Sequence, residues 1–242
     1  MARSRRARLV ALTDLLVRRR LDADRSVIAS GRVLVDGRVV TNPAARVRAD
    51  AALRVLPERR LRGDVKLSHA LDQFSAPVAD RVCLDLGASA GGFTTALLAR
   101  GARRVYAVEA GVGQLAGSLR NDARVVNLEG HNLGLLDTKM IPEPVEFVTI
   151  DLSYLALEAA VPQLDRVRLH PSAELLALVK PTFELRLATL ASAADEVVKA
   201  VGLAASAVES CGWEILGQCT APPTGRRGAH EVFLHARRHT SW

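Results

Sequence analysis

Arg81-Val82-Cys83-Leu84-Asp85-Leu86-Gly87-Ala88-Ser89-Ala90-Gly91-Gly92-Phe93 is the stretch that decides the fold. Val82, Cys83, Leu84 and Leu86 form a short apolar run, the pattern of a strand buried in a parallel sheet. Asp85 interrupts that run near its end, three glycines follow, and Phe93-Thr94-Thr95-Ala96-Leu97-Leu98 reads as a helix. The stretch is therefore strand, glycine-rich turn, helix. In open α/β sheets a ligand sits beyond the carboxyl ends of the strands, and glycines let it approach the backbone with no Cβ in the way. The pattern is neither the Gly-x-x-x-x-Gly-Lys-Ser/Thr of a phosphate-binding loop nor a full Gly-x-Gly-x-x-Gly. A second acid sits downstream. Arg104-Val105-Tyr106-Ala107-Val108-Glu109 reads as the next strand, and Glu109 falls close to the spacing at which an acid meets a ribose diol in dinucleotide folds.

Outward from this stretch, strands and helices alternate. Strands are expected near 82–87, 104–109, 124–128, 145–151, 174–180, 213–220 and 231–237. Helices are expected near 93–100, 112–121, 153–168 and 189–211, and another runs from Lys66 through Leu67, Ala70, Leu71 and Phe74. The fold class is α/β, a seven-stranded sheet with a small N-terminal α/β domain. The expected boundaries are 1–58 for the small domain, 59–65 for a linker and 66–242 for the large domain.

The small domain carries the charge. Residues 1–64 hold 16 arginines and 7 acids, a net of +9, whereas the rest of the chain carries a net of −2. A basic excess confined to one quarter of a chain points to an acidic polymer as partner, nucleic acid first. Within that quarter, Leu9, Leu12, Leu15 and Leu16 have helical spacing over 8–21, and 25–31 reads as a short helix closed by Gly31. Asp36-Gly37 between two β-rich runs predicts a hairpin, and an extended run reaches Val55. Cys83, Cys211 and Cys219 are dispersed and odd in number, which fits neither a disulfide framework nor a zinc site. Asp14 breaks the only arginine-led apolar run near the N-terminus, and no segment approaches the length of a membrane span. The expected location is cytoplasmic.

Arginine outnumbers lysine 29 to four here, so each lysine is informative. Arginine keeps its proton at physiological pH, whereas a desolvated lysine can lose it. Lys180 ends the apolar run Leu175-Leu176-Ala177-Leu178-Val179 and precedes Pro181, which puts an amine at the ligand edge of the sheet. Asp151 ends the run Val145–Ile150 and points at the same crevice, with a helix cap before 153–168 as its plainer role. Lys66 and Glu231 taken alone are an ordinary helix-start lysine and an ordinary surface acid.

Together these residues carry a resemblance. Asp85-Leu86-Gly87-Ala88 with Gly91-Gly92-Phe93 is similar to the first motif of S-adenosylmethionine (SAM) dependent methyltransferases. Lys66, Asp151, Lys180 and Glu231, in that order, resemble the Lys-Asp-Lys-Glu tetrad of the FtsJ-type RNA 2′-O-methyltransferases. Gly31-Arg32-Val33-Leu34-Val35-Asp36-Gly37, with the two helices before it, resembles the small RNA-binding domain shared by a small-subunit ribosomal protein and many pseudouridine synthases. The whole chain looks like the TlyA family, which joins these two domains.

The resemblance implies a Rossmann-like methyltransferase sheet whose last strands include an antiparallel one. It implies methyl transfer from SAM to a ribose 2′-hydroxyl, of cytidine, in ribosomal RNA or ribosomal subunits, with no metal and no membrane. Lys66, Asp151, Lys180 and Glu231 would be catalytic. Asp85, Gly87, Ala88, Ser89, Gly91, Gly92, Phe93, Glu109 and Asp151 would hold the cofactor, with Asn132 near its adenine. Two departures stand out. The second small-domain helix is about one turn short, and the glycine-rich insertion that usually follows Lys-Pro-x-Phe-Glu is missing after Glu184. They leave open a different RNA or a small hydroxylated metabolite as acceptor. A non-enzymatic haemolysin-like or RNA-binding protein is the other alternative.

Overall fold

The computed structural model describes residues 8–56, 60–187, 194–222 and 230–239. The chain divides into two compact units, Met1–Arg59 and Arg60–Trp242.

The first unit runs β1 (Leu9–Ala11), α1 (Leu12–Arg18), α2 (Arg25–Ala29), β2 (Val33–Val35), β3 (Arg38–Val40), β4 (Arg46–Arg48) and β5 (Leu53–Val55). The Asp36-Gly37 turn, with both residues at positive φ, joins β2 to β3, and β5 pairs on the other side of β2. Leu9–Ala11, expected within a helix, is instead a strand paired antiparallel with β4, so the helix begins only at Leu12. The second helix is one turn, opened by Asp24, whose carboxylate accepts the backbone N–H of Val27 at 2.9 Å. Leu12, Leu15, Leu16, Ile28, Val33 and Val47 close the core.

The second unit opens with α3 (Arg62–Phe74), so Arg62–Val65, expected in a linker, form its first turn. Then follow β6 (Val82–Leu86), α4 (Gly92–Ala99), β7 (Arg104–Glu109), α5 (Gly117–Arg120), β8 (Val125–Glu129) and a 3₁₀ turn at Leu133–Leu135. After these come β9 (Val145–Ile150), α6 (Leu157–Ala160), a 3₁₀ stretch at Val161–Arg166, β10 (Leu169–Val179) and α7 (Pro181–Glu184). The last elements are α8 (Ala194–Ser210), β11 (Trp213–Thr220) and β12 (Val232–Arg238). Residues 188–193, where the last helix was expected to begin, lie outside the described residues.

Seven strands form one sheet in the order β11-β12-β10-β9-β6-β7-β8. Six run in one direction, and β12 alone lies antiparallel, between β10 and β11. Strand order reverses between β6 and β9, the switch point beyond whose carboxyl ends α/β proteins open a crevice. Two apolar cores cover the faces of the sheet. Val82, Leu84 and Leu86 of β6 point into one, with α6 and α8, and Cys83 points into the other, with α3 and α4. Among the described residues, no helix is long and apolar enough to cross a membrane.

Two expected helices are much shorter than their sequence pattern. Over 112–121 only Gly117–Arg120 is helical, because carboxylates hold the preceding backbone open. Glu109 accepts the N–H of Gly111, and Glu129 accepts those of Gln114 and Leu115. Over 153–168 the helix starts at Leu157, whose N–H donates to the Glu184 carboxylate, and beyond Ala160 it tightens to 3₁₀ around Pro162.

Asp85 is fully buried on the α3/α4 face of β6. The hydroxyls of Thr94 and Thr149 donate to its two oxygens at 2.7 and 2.9 Å, so it ties β6 to α4 and to β9. Burial pushes its carboxyl up to about 6, against the pull of the two hydroxyls and with help from the nearby Asp151 charge. A carboxyl with a raised folded-state pKa binds protons more tightly folded than unfolded between about pH 4 and 6. Its stabilising contribution is therefore complete below pH 4 and is lost as pH rises through 6, by at most about 3 kcal/mol. In urea unfolding at pH 4, 5.5 and 7, wild type should lose stability relative to Asp85→Asn by up to that amount as pH rises. A difference that stays flat would show that Asp85 does not titrate in this window.

Candidate active site

The crevice is built by the ends of β6, β7, β9 and β10 with the first turns of α3 and α4. Between β6 and α4 the chain turns through Gly87, Ser89 and Gly91, all at positive φ. Gly87 cannot carry a side chain, because a Cβ there would sit 2.3 Å from the Asp151 carbonyl oxygen. Gly92 faces Gly63 of α3 so closely that a Cβ would lie 2.8 Å from the Gly63 Cα. The two helices therefore bring their N-termini together at one place. There, Leu61, Arg62 and Gly63 meet Gly87, Ala88, Ser89, Gly92, Phe93 and Asp151 around a cleft of about 270 Å³.

A second cleft of about 200 Å³ shares Gly87, Ser89 and Asp151 with the first, and adds Glu109, Gln114, Leu152, Ser153 and Tyr154. Glu109 sits at its end. One of its oxygens accepts the backbone N–H of Ser89 at 3.0 Å and the other that of Gly111 at 2.7 Å. This single carboxylate links the β6–α4 turn to the loop after β7. One strand further out, one Glu129 oxygen accepts the N–H groups of Gln114 and Leu115, and the hydrogen bonds from Asn127 and from this backbone hold its carboxyl below the usual carboxylate range.

The four residues of the expected tetrad form two ion pairs. Lys180 caps α7 at the end of β10, with Pro181 as the first helical residue. Its Nζ lies 2.5 Å from Asp151 Oδ1 and donates to Ser153 Oγ at 2.7 Å. Its side chain is only 12% exposed, so it does not reach freely into solvent. Asp151 does not cap a helix; its own N–H bonds to Leu86 O and its side chain faces the lysine. Lys66, one turn along α3 from the cleft wall, pairs with Glu231, and both are nearly buried. Register explains Glu231. Val232 pairs with Val179, so Glu231 and Lys180 lie next to each other across β12 and β10 at the crevice end.

Of the other expected residues, Asp85 is sealed beneath the loop and does not face the cleft, Gly91 packs on Leu115 and Leu119, and Asn132 precedes a 3₁₀ turn and lines neither cleft. Sequence reading missed Thr94, Thr149, Ser153, Gln114 and Glu129. Glu129 had a visible signal: β7 and β8 both end in glutamate, as β6 nearly ends in aspartate. Thr149 did too, as a polar residue inside an apolar run.

Comparison with known proteins agrees with this architecture. The model of the FtsJ-like methyltransferases matches residues 59–239. A 16S/23S rRNA (cytidine-2′-O)-methyltransferase, TlyA, of Mycobacterium tuberculosis is 39% identical over 250 residues, spanning 98% of this chain and 92% of its own. Hemolysin A of Brachyspira hyodysenteriae is 30% identical over 86% of this chain and 90% of its own. A hemolysin-named protein of Streptococcus thermophilus superposes with a TM-score of 0.71 at 26% identity, covering 96% of this chain and 90% of its own.

The steric role of the turn gives a direct test. Gly87→Ala combines positive φ with a backbone clash and should cost about 3 kcal/mol or more. Gly113→Ala has a similar φ but nothing within 4 Å of the new methyl, and should cost only about 1 kcal/mol. Thermal unfolding of both variants measures the gap; equal losses would mean the Asp151 carbonyl yields readily.

Proposed function

Because the chain belongs to the FtsJ-like methyltransferase family, in its TlyA branch, we propose that it transfers a methyl group from SAM to a ribose 2′-hydroxyl, that of a cytidine, in ribosomal RNA. The observation that carries this reading is Lys180, held by Asp151 and Ser153 at the wall of the crevice. SAM supplies a methyl on a sulfonium, so the ribose oxygen needs only to be aligned and relieved of its proton.

The two joined clefts suit such a cofactor. The Glu109 carboxylate is of the right chemistry for a ribose diol, and the paired N-termini of α3 and α4 with Arg62 suit the methionine carboxylate. Loop residues Gly87, Ala88, Ser89 and Gly92 would follow its backbone, and Phe93 would bound it. Asp85 would act on the cofactor through the loop it anchors.

On the acceptor side, Lys180 in its neutral amine form would take up the hydroxyl proton on its lone pair, with Asp151 fixing its position. Lys66 and Glu231 would fix the ribose from the far side, each keeping the other's charge paired in a nearly buried place. The first unit would supply affinity for the polymer. Arg18, Arg19, Arg20, Arg25, Arg38 and Arg46 are all exposed on it, and such a surface binds phosphates in a salt-dependent way. A ribosomal RNA substrate makes the cytoplasm its place of action.

The test is transfer from radiolabelled SAM to unmodified small subunits, large subunits and naked ribosomal RNA. Wild type should label RNA in at least one of them. Lys180→Ala should lower the rate by about 10²-fold or more with SAM affinity little changed. Full transfer by Lys180→Ala, or SAM binding without any labelled RNA, would overturn the reading.

A further inference from the structure

We propose that Ser153 is a positioning residue for the reaction, setting the direction in which the Lys180 amine faces the acceptor. The inference rests on the reading of Lys180 given above and adds a residue to it. The amine that takes up the hydroxyl proton carries two N–H bonds and one lone pair in a tetrahedral arrangement. The Lys180 nitrogen donates a hydrogen bond to Ser153 Oγ at 2.7 Å, whereas Asp151 Oδ1, 2.5 Å away, pairs with it by charge and receives no hydrogen bond among the described residues. The hydrogen bond to Ser153 therefore sets the orientation of the amine, while Asp151 holds its position. A carboxylate alone would leave the amine free to swing about that single contact. The hydroxyl removes this freedom.

Both partners of the lysine come from one short segment. Asp151 and Ser153 flank Leu152, which is buried in the core, and the Asp151 N–H is bonded to Leu86 O at 2.9 Å. The segment is thus pinned to the end of β6, and the amine direction is set by the same strand pair that builds the crevice. Both residues also line the cleft that contains Glu109. The Ser153 hydroxyl has no helix to cap, because α6 begins at Leu157 behind Ala156. Its side chain is exposed at the cleft, where a serine hydroxyl adds little to folding. Because the oxygen accepts an N–H from Lys180, the side chain holds the amine while leaving its lone pair to the acceptor hydroxyl.

The experiment is steady-state kinetics of methyl transfer to unmodified ribosomal subunits by wild type, Ser153→Ala, Ser153→Thr and Lys180→Ala, with SAM affinity and thermal unfolding measured alongside. Ser153→Ala should lower kcat about 10-fold, the scale of one lost hydrogen bond to a charged group. The KM and Kd for SAM should stay within about 2-fold, and Tm should be unchanged. Ser153→Thr, which keeps the hydroxyl, should recover most of kcat. An unchanged kcat in Ser153→Ala overturns the proposal. So does a loss of SAM affinity matching the loss of rate, which would make Ser153 a cofactor contact, and so does a threonine variant no better than alanine. Retained activity in Lys180→Ala is a different result: it removes the reading of the site itself.

Discussion

Everything at the crevice depends on one buried carboxylate. Asp85 receives a hydroxyl from α4 and another from β9, and so fastens three elements at the sheet's switch point. Without it, β6 and β9 would still pair through their backbones, but the helix would lack a polar tie to the strand it follows. The loop between them could then relax away from the Asp151 carbonyl, which Gly87 approaches with no room for a methyl. The two hydroxyls offset part of the cost of burying Asp85, which still dominates. A buried carboxylate with two short donors is tolerable, whereas one without them would carry a full desolvation penalty.

Charge is handled in the same way further out. Glu109 and Glu129 end successive strands; Glu109 spends both oxygens, and Glu129 one, on backbone N–H groups of the loops around the crevice. The loops are therefore shaped by strand ends rather than by their own propensities. Lys180–Asp151 and Lys66–Glu231 extend the pattern to nearly buried cations, each matched to one acid. Such pairs contribute little net stability, since desolvation offsets their attraction, but breaking one leaves an uncompensated charge. Their value lies in holding two amines at defined points.

The sheet and its glycine-rich turn were legible because both rest on local pattern: apolar runs of strand length, punctuating glycines, acids at strand ends. All seven strands overlap the ranges alternation gave them, although β10 starts five residues earlier than expected, at Leu169. Lys180 and Asp151 were legible for the same reason, as polar residues ending apolar runs. The helices over 112–121 and 153–168 were misread because contacts distant in sequence decide them: Glu129 holds the backbone before Gly117 open, and Glu184 accepts the N–H of Leu157 where the second helix starts late, before it tightens to 3₁₀ around Pro162. Propensity has no access to such contacts. Asp85 was assigned to the ligand because its motif does not reveal which way its side chain turns; Thr94 and Thr149 decide that, and they become its partners only through the fold. Ser153 was passed over because a serine after a strand looks like any loop residue until the lysine 27 positions later is seen on it.

The insertion of β12 between β10 and β11 has a consequence for the order of assembly. The strand that carries Glu231 to Lys66, across 165 residues of chain, is also the one that occupies the slot between two strands made before it. As the polypeptide leaves the ribosome, β10 must wait with a bare hydrogen-bonding edge until this late segment arrives. Closure of the sheet and completion of the second ion pair are then a single event. A nascent chain cannot hold all four charged groups together before its barrier to misassociation is also in place, which couples competence for chemistry to protection against aggregation.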